Sequence, residues 1–315
     1  MLAASPLHAR EYQEPRAVVD TFQTALNTSD FTITSEILLG ASSGADHISE
    51  QAELLRDRVD GVLVTDNQSG RLHMSSLAAS RLLLEAGVDP IMQLGCRNRN
   101  RVALLGDLLG AGALGVRNLQ LVRGEKVPIG FAPRPEAMLD VTATELLGIA
   151  EKMKLEEGIA RFPDLFLGGV ISPRVPRADW PAKKVVQKVD AGARFLLTHT
   201  CMNVDVIRQF MKHLIALKLL HRTSVMVSIA VLASAQDARW MRANKSNVII
   251  PESIVERLDR HTEPRAEGIA IAAELLQLCA EVPGLAGAHL YAPTDLRSVP
   301  EALDMAGIAG RRGPT

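Results

Sequence analysis

Two short segments bring together the side chains of this chain best suited to chemistry. One is Gln93-Leu-Gly-Cys-Arg-Asn-Arg-Asn-Arg101, and the other is Leu119-Gln-Leu-Val-Arg-Gly-Glu125. Each closes a short apolar run, and a helical pattern lies between them. Polar groups just past strand ends are where parallel α/β enzymes keep their chemistry. Arg123-Gly-Glu125 joins a guanidinium, a flexible backbone and a carboxylate. That set suits a phosphate or a heterocycle with N–H groups, although an ordinary βα turn also uses Gly and a charged cap.

A third candidate is Glu36, inside the run Thr32-Ile-Thr-Ser-Glu-Ile-Leu38. Burying a carboxylate in a strand costs several kcal/mol unless it is paired or protonated. A buried Glu whose pKa is raised is what a general acid needs near neutral pH. The competing reading is a strand residue that salt-bridges a barrel arginine. His199 at another strand end is an acid, a hydrogen-bond donor or a packed core residue. His199-Thr-Cys201, with Cys96, is a weak metal pattern without zinc spacing, so no metal is expected.

These residues need elements to position them, and the chain supplies a regular alternation. Strand-like runs are expected at 31–38, 61–65, 90–94, 116–122, 164–171, 194–198, 224–231 and 285–290. Helical spacing fills the intervals at 46–59, 75–86, 99–114, 142–154, 182–191, 204–220, 234–242, 251–260, 264–281 and 299–306. Eight strands alternating with helices without a break predict a single closed (β/α)8 barrel of the TIM type over 31–309. Residues 1–30 read as a lead-in with a helix near Pro15–Asn27, and 310–315 as a frayed tail. The rival is an open doubly wound sheet, which would more often show GxGxxG after its first strand. Gly40-Ala-Ser-Ser-Gly44 imitates that only weakly.

In such a barrel the site gathers where strands finish. Those positions are Glu36, Thr65, Asp66, Gln93, Cys96, Arg123, Gly124, Glu125, Ser172, His199, Cys201, His289 and Tyr291.

Composition narrows the function classes. A net charge of −1 over 315 residues leaves no basic stripe for a nucleic acid. The cluster Arg97, Arg99, Arg101 reads as a solvated loop or a small phosphate site. Only 3% of residues are aromatic, so packing is expected to rest on aliphatic side chains. No run approaches the roughly 20 apolar residues of a membrane span. Three cysteines form no disulfide framework, and the N-terminus lacks the features of a signal peptide, which points to the cytoplasm.

The strand-end residues resemble those of the methylenetetrahydrofolate reductase family. The resemblance runs from about Phe31 to Gly307 and is best over Gln93–Glu125. The family's third-strand His-Leu-Thr-Cys is matched by Gln93-Leu-Gly-Cys96, and its Arg-Gly-Asp triplet by Arg123-Gly-Glu125. Lys188-Val-Asp-Ala-Gly-Ala-Arg194 matches its Lys-Val-Asp-Ala-Gly-Ala-Asp stretch. Asn247-Val-Ile-Ile-Pro251 and His289-Leu-Tyr291 match its Asn-Val-x-Ile-Pro and His-Phe-Tyr.

The resemblance implies a barrel that carries FAD, with NADH or NADPH as reductant. Reduction of 5,10-methylenetetrahydrofolate to 5-methyltetrahydrofolate would follow ping-pong kinetics, in one-carbon metabolism and methionine biosynthesis. Glu36 takes the place of the family's catalytic Glu, which protonates the folate N10. Glu125 takes the place of its aspartate near flavin and pterin. Thr65, Asp66, Gln93, Arg123, Gly124, Glu125, Ser172 and Lys188 would hold the FAD, with Lys188 at its phosphates. His199, His289 and Tyr291 would contact substrate. A homo-oligomer is implied, and an electron-transfer partner protein is an alternative source of electrons.

Several positions depart from the family pattern: Gln93 for His, Glu125 for Asp, Asp66 for Tyr, His199 for Gln. Ile171-Ser-Pro173 stands for Tyr-Pro-Glu, and Val225–Ala230 for the Pro-Gly-x-x-Pro strand. They leave a second reading open, a non-catalytic or flavin-free folate-binding paralogue.

Overall fold

The protein was analysed as a computed structural model, which describes residues 21–127, 130–154 and 164–308. Its strands are β1 (Thr32–Glu36), β2 (Gly61–Val64), β3 (Pro90–Gly95), β4 (Asn118–Val122), β5 (Phe166–Ile171), β6 (Phe195–Thr200), β7 (Ser224–Ala230) and β8 (Gly287–Tyr291). All neighbours pair in parallel, and β8 returns to β1 to close the barrel. The open-sheet alternative is therefore wrong, because no strand edge is left between β1 and β8.

Preceding α1 (Thr21–Thr28), residues 1–20 lie outside the described part, as do 309–315. The expected helix near 15–27 is thus seen only from Thr21 onward. Around the barrel run α2 (Ala45–Leu55), α3 (Ser76–Glu85), α4 (Arg101–Ala113), α5 (Ala143–Met153), α6 (Lys183–Asp190) and α7 (Val204–Ala216). They are followed by α8 (Ala235–Asn244), α9 (Glu252–Arg260), α10 (Pro264–Ala280) and α11 (Ser298–Ala306). Side-chain caps explain where several begin. Ser75, Asn100, Thr142, Asn203 and Ser234 each accept a first-turn N–H, and Thr142 with Glu145 forms a full capping box.

Strand alternation divides the barrel interior into two zones. At the N-terminal end, Leu63, Ile91, Phe166, Phe195, Leu197 and Met226 form one apolar cluster with Phe22 of α1. Phe22 meets Phe195 edge-on at 5.1 Å and Phe166 at 6.0 Å, while Phe166 and Phe195 stack at 5.4 Å. The room for these rings comes from glycine. A Cβ on Gly168 would stand 2.4 Å from the Phe195 ring. The scarcity of aromatics pointed to a wholly aliphatic packing, and this floor corrects it: three of the chain's phenylalanines gather here beside Leu63, Ile91, Leu197 and Met226.

Further along several strands the inner face turns polar. Glu36, Thr65, Gln120, Ser228 and His289 are all buried there. Register sets the neighbours: Gln93 pairs with Gln120 and Thr34 with His289. The apolar floor thus closes one end and leaves the polar groups at the strand C-termini.

Helix α1 is held to the floor by polar contacts as well. The Phe22 N–H donates to Asp89 Oδ2 at 2.9 Å, and Thr21 Oγ1 donates to the Asp60 carbonyl. Truncating the plug should open a cavity that the rigid strands cannot collapse into. Phe22→Ala is expected to lower the unfolding free energy by about 3–5 kcal/mol, measured by urea denaturation.

Candidate active site

Glu36 ends β1 inside the barrel and is 5% exposed. Gln68 Nε2 donates to its Oε1 at 2.9 Å. His289 Nε2 faces its Oε2 at 3.4 Å, and Thr34 Oγ1 lies 3.0 Å from His289 Nδ1. Thr34 and Glu36 are two residues apart on one strand, so both side chains face inward. The expected alternative, a barrel arginine paired with Glu36, is not what is found; its partners are Gln68 and His289.

Asp66, just past β2, meets an arginine instead. Arg99 donates to its Oδ2 at 2.6 Å and its Oδ1 at 3.3 Å, and the Gly95 N–H donates to Oδ2 at 2.8 Å. Arg99 Nε also pairs with Asp107 at 2.9 Å. Arg101 is taken up by Asp140, and Arg97 Nε donates weakly to the Gly124 carbonyl at 3.4 Å. Two of the three guanidiniums, Arg99 and Arg101, thus have carboxylate partners, while Arg97 has only the carbonyl. Gln93 is similarly engaged, donating to Gln120 Oε1 at 2.7 Å and accepting from the Asp66 N–H at 3.1 Å.

Across the mouth, Lys245 reaches Glu125 Oε1 at 3.5 Å and donates to Ser69 Oγ at 2.9 Å. Gly124 before it has φ +84°, and a Cβ there would press to 3.0 Å from Arg97 Cβ. Arg123 and Glu125 are exposed. His199 feels both sides of this cluster. Burial pushes its imidazole pKa down, the Glu125 carboxylate opposes that, and Lys188 and Lys245 add to the lowering. It is therefore mainly neutral at pH 7. Burial raises the Tyr291 phenol above its ordinary value, helped by Glu36 and Glu125. Glu36 and Tyr291 end β1 and β8, His199 stands next to the end of β6 and Glu125 follows β4, so all four lie at the C-terminal end of the barrel.

A second feature lies beside β5 and α6. A cavity of about 440 Å³ is lined by Ser172, Arg174, Trp180, Lys183, Lys184, Lys188 and others. Lys188 packs against Gly169, its Nζ 3.7 Å from where a Cβ would be. Burial lowers its pKa, partly offset by Cys96, and Lys184 lowers it further. Among the described residues it has no ion pair. A half-buried ammonium without a carboxylate, among three further cations, suits a polyanion such as a diphosphate. The thiols do not compete for this role. Burial raises Cys96 and Cys201 to about 11 and Cys279 to about 12, so all three stay protonated. Among the described residues no group of three His, Cys, Asp or Glu could hold a metal ion.

A family model described as methylenetetrahydrofolate reductase matches residues 21–307. The chain belongs to that family. No curated protein matches it. Similar solved structures include DmoA from Hyphomicrobium sulfonivorans, at 10% identity, with 88% of each chain covered and a TM-score of 0.49. Another is 2,3-dimethylmalate lyase, a PEP mutase/isocitrate lyase superfamily member. It is 13% identical, with 94% of this chain and 88% of that one covered and a TM-score of 0.48.

As a methylenetetrahydrofolate reductase family member, the chain brings its expected site residues into two groups. Glu36, Glu125, His199, His289 and Tyr291 surround the barrel mouth, with Thr65 buried on the same inner face. Ser172 and Lys188 line the basic cavity. Asp66 and Gln93 sit between β2 and β4, tied to protein partners. Sequence reasoning missed Gln68, Gln120 and Lys245. Gln120 was accessible to a strand-alternation argument, being two residues from Val122 on β4; Gln68 lies in a short 3-10 turn, Gln68–Gly70, and Lys245 just past α8.

The residues of the basic cavity fit the diphosphate of the family's FAD. An anion bound there would be favoured by the protonated form of Lys188. Inorganic pyrophosphate affinity, measured by calorimetry at constant ionic strength, should fall as pH rises through the lowered Lys188 pKa. Lys188→Met should weaken binding and remove that part of the slope.

Proposed function

We propose that this protein reduces 5,10-methylenetetrahydrofolate to 5-methyltetrahydrofolate, with NADH or NADPH as reductant and Glu36 as general acid. The observation that carries the reading is the Glu36 carboxyl, buried at the barrel mouth between His289 and Gln68 in a chain of this family. A bound FAD supplies a two-electron relay between the nicotinamide and the folate. Ser172 and Lys188 would hold its diphosphate, and Thr65, Arg123, Gly124 and Glu125 would line its ring system.

The folate ring must open before its methylene carbon can accept hydride. Glu36 gives a proton to N10, the bond from N10 to the methylene carbon breaks with its electrons going to N10, and the carbon becomes an iminium with N5. Hydride then adds to that carbon, and Glu36 is left as carboxylate. The His289 pair suits both states of the acid. With Nε2–H it donates to a carboxylate, and with a bare Nε2 it accepts from a carboxylic acid. The Thr34 hydroxyl satisfies Nδ1 in either tautomer, since it both donates and accepts. Neutral His199 and protonated Tyr291 offer the pterin uncharged hydrogen-bonding groups.

One observation favours a second reading. Asp66 and Gln93, which replace the family's Tyr and His, spend their polar atoms on Arg99, Gly95 and Gln120. A member that binds folate without flavin, or takes electrons from a partner protein, would not need those side chains free. The buried free thiols support a reducing compartment such as the cytoplasm. Among the described residues no helix is long and apolar enough to cross a membrane.

Glu36→Gln tests the assignment. It should lower folate reduction by about 10²–10⁴-fold while leaving the reduction of bound flavin by nicotinamide near the wild-type rate. Equal loss in both half-reactions, followed by anaerobic stopped-flow absorbance, would sink the general-acid role.

A further inference from the structure

The turn that covers Glu36 is held by groups distant from it in the chain. Asn67, Ser69 and Gly70 have φ of 52°, 56° and 67°. Non-glycine residues stay in this left-handed region only where their surroundings fix them. Three contacts do so here. The Asn67 N–H donates to His73 Nε2 at 2.8 Å. Gly70 lies so close to the β4 loop that a Cβ would stand 2.4 Å from the Lys126 carbonyl oxygen. Ser69 Oγ accepts from Lys245 Nζ, which arrives from just past α8, 176 positions away.

Gln68 sits in the middle of this turn, and its amide occupies Glu36 Oε1. With the amide there one acceptor site of that oxygen is taken, and Glu36 is only 5% exposed, which leaves little surface through which a substrate nitrogen could reach it. The other carboxylate oxygen faces His289. Lys245 is 14% exposed and has Glu125 as a second partner. It can therefore leave Ser69 without becoming a buried, unpaired charge.

We propose that turn 67–70 is a gate over Glu36 and that Lys245 is its latch. The sealed arrangement keeps water from the acid; release of Ser69 from Lys245 lets Gln68 swing off Oε1 and admits the substrate. Lys245 is a positioning residue, since it acts on Glu36 only through the turn. The gate's purpose rests on the reading of Glu36 as proton donor. The gate itself can be tested without turnover.

The test is carboxyl labelling of the full chain with a water-soluble carbodiimide and glycine ethyl ester, located by mass spectrometry. Asp89, buried 3% exposed at the opposite end of the barrel, reports global opening. Wild-type Glu36 should label slowly. Lys245→Met and Ser69→Ala should each speed Glu36 labelling about tenfold, as expected when one charge-assisted hydrogen bond is lost. Asp89 should stay at its wild-type rate, and Lys245→Arg should restore slow Glu36 labelling.

Ser69→Ala keeps the Lys245–Glu125 pair, so it separates the latch from that pair. It also decides the matter if Lys245→Met does not fold. Wild-type labelling rates at Glu36 in Ser69→Ala, or fast labelling in the wild type itself, would overturn the gate. Neither result bears on the half-reactions of Glu36→Gln, so failure of the gate and failure of the proposed function are distinguishable.

Discussion

A carboxyl group inside a barrel must be solvated by the protein, and the mouth of this one is organised around that need at Glu36. Water is nearly excluded, so each oxygen requires a partner on the chain. His289 meets one and Gln68 the other. His289 in turn needs Thr34 to occupy its second ring nitrogen, and Gln68 needs a turn in an unusual conformation to aim its amide. That turn leans on Lys245, and Lys245 on Glu125. A chain of polar contacts thus runs from β1 through β8 and the β2 loop to the segment after α8. The inner links, at Thr34, Glu36 and His289, satisfy groups that would otherwise be buried unpaired.

The barrel makes this chain possible by separating apolar from polar along its axis. Phe22, Phe166 and Phe195 fill the floor, where Gly168 leaves room for a ring. One strand repeat above them, the same inward face carries Gln120, Ser228 and His289. A filled floor fixes the strands, and fixed strands hold polar groups in position without spending loop entropy. The basic cavity between β5 and α6 is a different kind of site. Among the described residues its cations make no salt bridge with a carboxylate, whereas Arg99 and Arg101 after β3 are committed to Asp66, Asp107 and Asp140.

Much of the architecture could be read from period alone. Alternating apolar runs and helical spacing mark eight strands, and all eight close the barrel within a few residues of their expected limits. Glu36 was visible for the same reason: a carboxylate in a β-branched run is conspicuous. What could not be read was pairing through space. Asp66 and Arg99 look like two independent strand-end groups until the loops bring them to 2.6 Å. Lys245 is one of many lysines in sequence, and only the folded chain puts it on Ser69. Phe22 lay in a stretch read as a lead-in. Its role as barrel plug depends on strands that follow it by more than a hundred residues, Phe166 and Phe195 among them.

The account as a whole turns on whether this barrel relays hydride through a flavin to a folate. The most direct measurement is the visible absorbance spectrum of the purified protein under anaerobic conditions. It would be recorded alone, after NADH or NADPH, and after subsequent 5,10-methylenetetrahydrofolate. The account predicts flavin bands that bleach with the nicotinamide and return with the folate. A colourless protein that takes up no added FAD would contradict it.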